Sequence, residues 1–151
     1  MPEVPVFGTR VEGCPYVVRP SAYALVQNTD GQLAVIQTAQ GCFLPGGGLE
    51  RDETPEQTVE REAREECGLV LATRHVLGNA VEIVYAAGEN ACFEKRSVFI
   101  AAGITAHGMS TEPDHELVWL HPDQALNTLS PESHRWAVRC FLADPSTPSR
   151  A

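Results

Sequence analysis

Glu62, Glu65 and Glu66 stand at i, i+3 and i+4. With 3.6 residues per helical turn, a helix through them would set all three carboxylates on one face. Three carboxylates within reach of one point form a site for a hard divalent cation, Mg²⁺ or Mn²⁺. Such an ion activates a water, polarises a phosphorus centre and stabilises a leaving oxygen. The surrounding stretch, Gly47 to Leu69, holds eight carboxylates: Glu50, Asp52, Glu53, Glu56, Glu60, Glu62, Glu65 and Glu66. Like charges at helical spacing weaken a helix and raise one another's pKa. The chain therefore calls for a cation here. The preceding Gly46-Gly47-Gly48 offers a backbone carbonyl to a metal or amides to a phosphate.

The elements that must position these groups are legible around them. Thr54-Pro55-Glu56-Gln57 is a helix start, with Thr54 as N-cap, Pro55 at the first helical position and Gln57 placed for a capping box. The helix is expected to run to Cys67 and stop at Gly68. Val59, Ala63 and Cys67 form its buried stripe, opposite the carboxylate face. Upstream, the β-prone runs 21–27 and 32–38 flank Asn28-Thr29-Asp30-Gly31 and read as a hairpin. A short edge strand is expected near Val4 to Phe7. Downstream, runs at 69–76, 80–87, 94–104 and 116–120 read as strands, with a hairpin-like connection at Gly88-Glu89-Asn90. His121-Pro122-Asp123 opens a short helical turn. Ser130-Pro131-Glu132 opens a second helix, with Trp136, Ala137, Cys140 and Phe141 on one face. Strands surrounding a central helix and ending in a C-terminal helix imply an α/β or α+β layered domain with a mixed sheet. One domain is expected over 1–151, with 1–15 a loose lead-in and 144–151 a flexible tail.

The central stretch resembles the Nudix box, Gly-x5-Glu-x7-Arg-Glu-U-x-Glu-Glu-x-Gly-U, where U is a bulky apolar residue. Gly47, Glu53, Arg61, Glu62, Ala63, Glu65, Glu66, Gly68 and Leu69 occupy those positions. Ala63, smaller than the usual apolar residue, is the one departure. The resemblance implies an α/β/α sandwich and a metal-dependent pyrophosphohydrolase. Such enzymes cleave a nucleoside diphosphate linked to another group by water attack at phosphorus. The substrate would be a nucleoside triphosphate, as for MutT-like members, or a dinucleoside polyphosphate. It further implies that Glu62, Glu65 and Glu66 hold the metal with the Gly47 carbonyl, and that Arg61 pairs with Glu53. The general base varies within the family. Glu62 is one candidate; Glu116 is another, with Glu112, Glu89 and Glu94 as alternatives.

Substrate contacts are less sharply marked. Lys95 or Arg96 would face phosphates, Phe43 would stack near a base, and Tyr85 lies where the diadenosine polyphosphate subgroup carries a tyrosine. Each has a plain structural alternative in the sheet or core. The other reading of the whole chain is a nucleotide-binding sensor without turnover, which loss of box glutamates would favour; all are present.

Bulk properties exclude other classes. The 151 residues carry a net charge of −9, which opposes binding to a nucleic-acid backbone. No apolar run approaches the roughly 20 residues of a membrane span, and no secretory signal is visible, so the expected location is cytoplasmic. The five cysteines form no Cys-x-x-Cys pair, which points away from a zinc site. No Gly-x-Ser-x-Gly elbow occurs, so serine-hydrolase chemistry is not indicated. The expected partner is a small nucleotide, and a homodimer would be common in the family.

Overall fold

The computed structural model describes residues 3–147. Its elements, in chain order, are β1 (Val6–Phe7), β2 (Tyr16–Val26), β3 (Leu33–Thr38), β4 (Gly41–Phe43), β5 (Gly46–Gly48), α1 (Pro55–Cys67), β6 (Leu69–Ala86), β7 (Ala91–His107), β8 (Glu116–Leu120), α2 (Pro122–Thr128) and α3 (Glu132–Ala143). They form two sheets. A mixed five-stranded sheet runs β1-β6-β7-β2-β5, and a smaller one runs β4-β3-β8.

The layering follows from alternation along the strands. In β2, Tyr23 and Leu25 enter a core shared with Ala137, Val138 and Phe141 of α3. Ala22, Ala24 and Val26 enter a second core against Val59, Ala63 and Cys67 of α1. β7 divides in the same way, with Phe99 and Ala101 toward α3 and Ile100 and Ala102 toward α1. The strands are buried on both faces, so helices must cover both. The result is the expected α/β/α sandwich.

Two expectations are corrected. The runs at 21–27 and 32–38 do turn at Asn28–Gly31, where the Asn28 side chain accepts from the Asp30 and Gln32 amides. They do not form a hairpin, because only Gln27 and Leu33 bridge. β2 instead pairs in parallel with β7 over eleven residues from Tyr16, while β3 joins the second sheet beside β8. Both runs are buried on both faces, so each needs its own covering layers, and the strands diverge after the turn. The runs at 69–76 and 80–87 are one strand, β6, interrupted by irregularities in its pairing with β7.

The buried face of α3 is also rotated from the expected one. Ser133, His134, Ala137, Val138 and Phe141 are buried, while Cys140 is half-buried. The lead-in contributes β1, which pairs in parallel with β6. At the other end, Asp144 lies 2.6 Å from His75, and the Thr147 hydroxyl donates to the Phe141 carbonyl at 2.6 Å. Residues 148–151 of the expected tail lie outside the described residues. Among the described residues no helix is long and apolar enough to cross a membrane.

Candidate active site

α1 begins as its capping signals require. The Thr54 hydroxyl accepts from the Gln57 amide at 3.1 Å, and the Gln57 side chain accepts from the Thr54 amide at 2.9 Å. It ends at Gly68, whose φ of 74° is the left-handed conformation of a helix stop. A Cβ at Gly68 would lie 2.2 Å from the Gly108 carbonyl oxygen. That close approach, with the Thr111 amide donating to the Glu65 carbonyl at 3.0 Å, ties the 108–115 loop to the helix end.

The glycine run is a strand rather than a free loop. β5 pairs antiparallel with β2, with Gly47 opposite Ala22. A Cβ at Gly46 would lie 2.1 Å from the Ala22 carbonyl oxygen, and a Cβ at Gly47 would lie 2.9 Å from the Glu62 carboxyl carbon. Glycine thus brings the backbone against the α1 carboxylates.

Arg61 organises the acidic face. Its Nε and one terminal nitrogen donate to both oxygens of Glu53, at 2.7 and 3.0 Å. The other terminal nitrogen donates to Glu62 at 2.9 Å and Glu65 at 3.2 Å. Glu53 also accepts from the Thr58 hydroxyl at 2.7 Å. The Arg61 hydrogen bonds, opposed by burial, hold the Glu53 carboxyl down at about 2, while Glu53 raises the Arg61 guanidinium further above its usual range.

Burial, only partly offset by Arg61, raises the Glu62 pKa. Glu66 is 7% exposed and accepts from the Gly46 amide at 2.9 Å. Burial, reinforced by Glu62, Glu112 and Glu65, pushes its carboxyl up to about 8 despite that hydrogen bond.

One oxygen each from Glu62, Glu65 and Glu112 lie within 4.8 Å of one another. Glu112 arrives from the 108–115 loop, where His115 Nδ1 lies 3.1 Å from its carboxylate. His115 Nε2 lies 3.8 Å from Glu66. The set offers carboxylate oxygens alone, the donor chemistry of a hard divalent cation.

The other expected residues are distributed around this group. Glu66 adjoins it through His115 but turns one oxygen to the Gly46 amide. Glu116, the exposed first residue of β8, stands opposite Gln37 and belongs to neither acidic group found among the described residues. Lys95 and Arg96 point to opposite faces of β7. Arg96 joins Glu94 at 2.6 Å, and Glu94 also binds Arg10. Glu89 lies in the 87–89 turn that joins β6 to β7. Tyr85 is 44% exposed, and its hydroxyl donates to Asn90 at 3.3 Å. Phe43 and Lys95 line a cavity of about 330 Å³ with Tyr23, Glu82, Val84 and His134.

Sequence reasoning missed three groups here. Tyr23 is buried, and its phenol is pushed up to about 12 by burial and by the Glu66 and Glu62 charges. His134 Nδ1 accepts from the Leu44 amide at 3.1 Å, fixing the chain just before the glycine run; burial drives its pKa down to about 3. Glu82 accepts from the Ser133 amide at 2.8 Å. The only sequence signal for Glu82 was a charge within the β-prone run 80–87.

Residues 17–143 match the family model of the NUDIX domain. Solved structures share the fold. A dihydroneopterin triphosphate pyrophosphohydrolase from E. coli aligns with a TM-score of 0.70 at 15% identity, covering 84% of this chain and 98% of that one. A NUDIX hydrolase from Nitrosomonas europaea aligns at 0.67 and 14% identity, covering 84% and 90%. A MutT NUDIX hydrolase from Burkholderia pseudomallei aligns at 0.59 and 26% identity, covering 82% and 97%. No curated protein sequence matches the chain.

Proposed function

The chain belongs to the NUDIX domain family, and from that membership we propose that it is a metal-dependent pyrophosphohydrolase acting on a nucleoside triphosphate or a related nucleoside diphosphate derivative. The observation that carries this reading is the convergence of Glu62, Glu65 and Glu112 beside Gly47. Glu62, Glu65 and Glu66 would hold Mg²⁺ or Mn²⁺ with the Gly47 carbonyl. The bound cation supplies Lewis-acid polarisation of a phosphoryl oxygen and a more acidic water.

The chain's own groups do the rest. Glu112, held by His115 Nδ1, accepts the proton of the attacking water. Arg61 holds Glu53 and the α1 face in place and balances the Glu62 and Glu65 charges. The neutral Tyr23 phenol remains a donor between the carboxylates and the cavity. The 330 Å³ cavity receives the rest of the nucleotide.

The test is a panel of nucleoside triphosphates and dinucleoside polyphosphates with Mg²⁺ and with Mn²⁺, with products identified by chromatography. Glu65→Gln and Glu66→Gln are run beside the parent. Metal-dependent release of a nucleoside monophosphate, lost in both variants, is the expected result. Absence of turnover on every substrate, or equal rates in parent and variants, would overturn the reading.

A further inference from the structure

The cavity lined by Tyr23, Phe43 and His134 contains a charged pair that the proposed hydrolysis does not use. Glu82 and Lys95 stand directly opposite each other in the β6–β7 ladder and both line the cavity. Among the described residues the Lys95 ammonium makes no hydrogen bond and no ion pair within 4.0 Å; it feels the charges of Glu82 and Arg19, and its own charge acts on the buried His134. Burial lowers its pKa. A largely desolvated ammonium without a hydrogen-bond acceptor is costly to keep, so the cavity expects an acceptor. Glu82 is oriented by the Ser133 amide, yet a carboxylate has about four lone-pair sites to fill. Phe43, Tyr23 and Val84 supply apolar walls.

Position decides which part of a nucleotide meets this pair. Gly47 is level with Ala22 on β2, and Ala22 with Val98 on β7. Lys95 lies three residues further along β7. Two strand spacings and three residue rises put its Cα about 14 Å from Gly47. A lysine side chain falls well short of that span. Even fully extended, its ammonium stands about 8 Å from Gly47, and the Glu82 carboxylate directly opposite it repels a phosphate there, so the pair suits the base end of a nucleotide.

We infer that Lys95 and Glu82 select a base carrying the 2-amino-oxo edge, as in guanine and the 2-amino-4-oxopteridines. That edge sets one carbonyl oxygen beside two adjacent N–H donors. Lys95 donates to the oxygen, and Glu82 accepts from the ring N–H and the exocyclic amine. Adenine and cytosine offer a carboxylate one amine with a ring-nitrogen lone pair beside it. Uracil and thymine offer one N–H flanked by carbonyls. Each leaves Glu82 facing an acceptor, which repels a carboxylate. This inference rests on the cavity receiving the nucleotide, as proposed above.

The experiment separates it from the hydrolytic reading. kcat/KM is measured for GTP, ITP, ATP, CTP, UTP and a 2-amino-4-oxopteridine triphosphate. Binding of GTP and ATP analogues with a non-hydrolysable α,β linkage is measured by calorimetry. The parent is expected to favour GTP or the pteridine over ATP by about ten-fold or more, and over ITP, which lacks the amine, by a smaller factor. Preference for GTP over the pteridine, or the reverse, distinguishes the two sources. Lys95→Met should raise KM for the guanine nucleotide and narrow the GTP-to-ATP ratio. Glu82→Gln keeps an acceptor for the Ser133 amide and should remove the GTP-to-ITP difference; circular dichroism checks that both variants fold. Hydrolysis without base preference, or variants that slow all bases equally, overturns the inference and leaves the reaction standing. Selective binding of the GTP analogue without turnover does the opposite.

Discussion

Arg61 carries more of the site than any other residue, because one guanidinium satisfies Glu53, Glu62 and Glu65 at once. A lysine has one ammonium and cannot reproduce the two-pronged contact with Glu53. Arg61→Lys should lower unfolding stability by about 2 kcal/mol, read from urea titrations. The sign of its acid dependence follows from Glu53. A carboxyl held at about 2 in the fold stabilises the folded state above its ordinary value of 4.5 and loses that contribution as pH falls through 2. The second residue-scale prediction concerns the proton acceptor. Glu112→Gln should reduce kcat by about 100-fold or more, whereas Glu116→Gln should stay within about two-fold. A larger loss from Glu116→Gln than from Glu112→Gln would move the base to β8.

At the scale of elements, β5 and α1 form one device. β5 contributes almost no side chain, and its bare backbone lets the carboxylate face of α1 approach. Alanine substitutions should separate two roles. At Gly46 the new methyl meets the immobile Ala22 carbonyl oxygen at 2.1 Å, and the φ of 149° adds strain. At Gly47 the methyl meets the Glu62 side chain, which can swing aside. Gly46→Ala should chiefly lower the melting temperature. Gly47→Ala should chiefly lower kcat, by displacing a metal ligand. Equal effects of the two on melting would show that Glu62 is not free to move. The 108–115 loop belongs to the same device, since its ties to Gly68 and Glu65 bring Glu112 to the helix.

For the whole molecule, two buried groups set opposite pH limits. Glu66 keeps its proton in the fold up to about 8, whereas in the unfolded chain it releases it near 4.5. Stability therefore falls with rising pH once the unfolded state holds fewer protons. His134 stays neutral in the fold down to about 3, whereas the unfolded imidazole protonates below 6.5. Stability falls with falling pH on its account. Between about 4.5 and 6.5 the two slopes cancel. The metal-free protein should be most stable there, losing stability toward pH 8 and toward pH 3. Mg²⁺ should remove the alkaline loss, because it replaces the proton on the acidic face. Melting temperatures across pH, with Mg²⁺ and with a chelator, check this. A metal-induced rise that is larger at pH 5 than at pH 8 would contradict it.

The α1 helix, its caps and its division into an acidic and an apolar face were legible in the sequence, because capping and the 3.6-residue period are local rules. So was the family, since the box fixes residue types at short spacing. The layered fold followed from β-prone runs around that helix. What the local pattern could not decide was pairing: β2 with β7 rather than β3 depends on which buried faces find cover across the chain. The same holds for Glu112, which meets Glu62 and Glu65 only because a loop returns to the end of α1. It holds as well for Glu82 and Lys95, two charges thirteen positions apart that become neighbours only through the ladder of β6 and β7. The residues for the chemistry lie close together in the chain, and the residues around the substrate cavity are assembled by long-range packing.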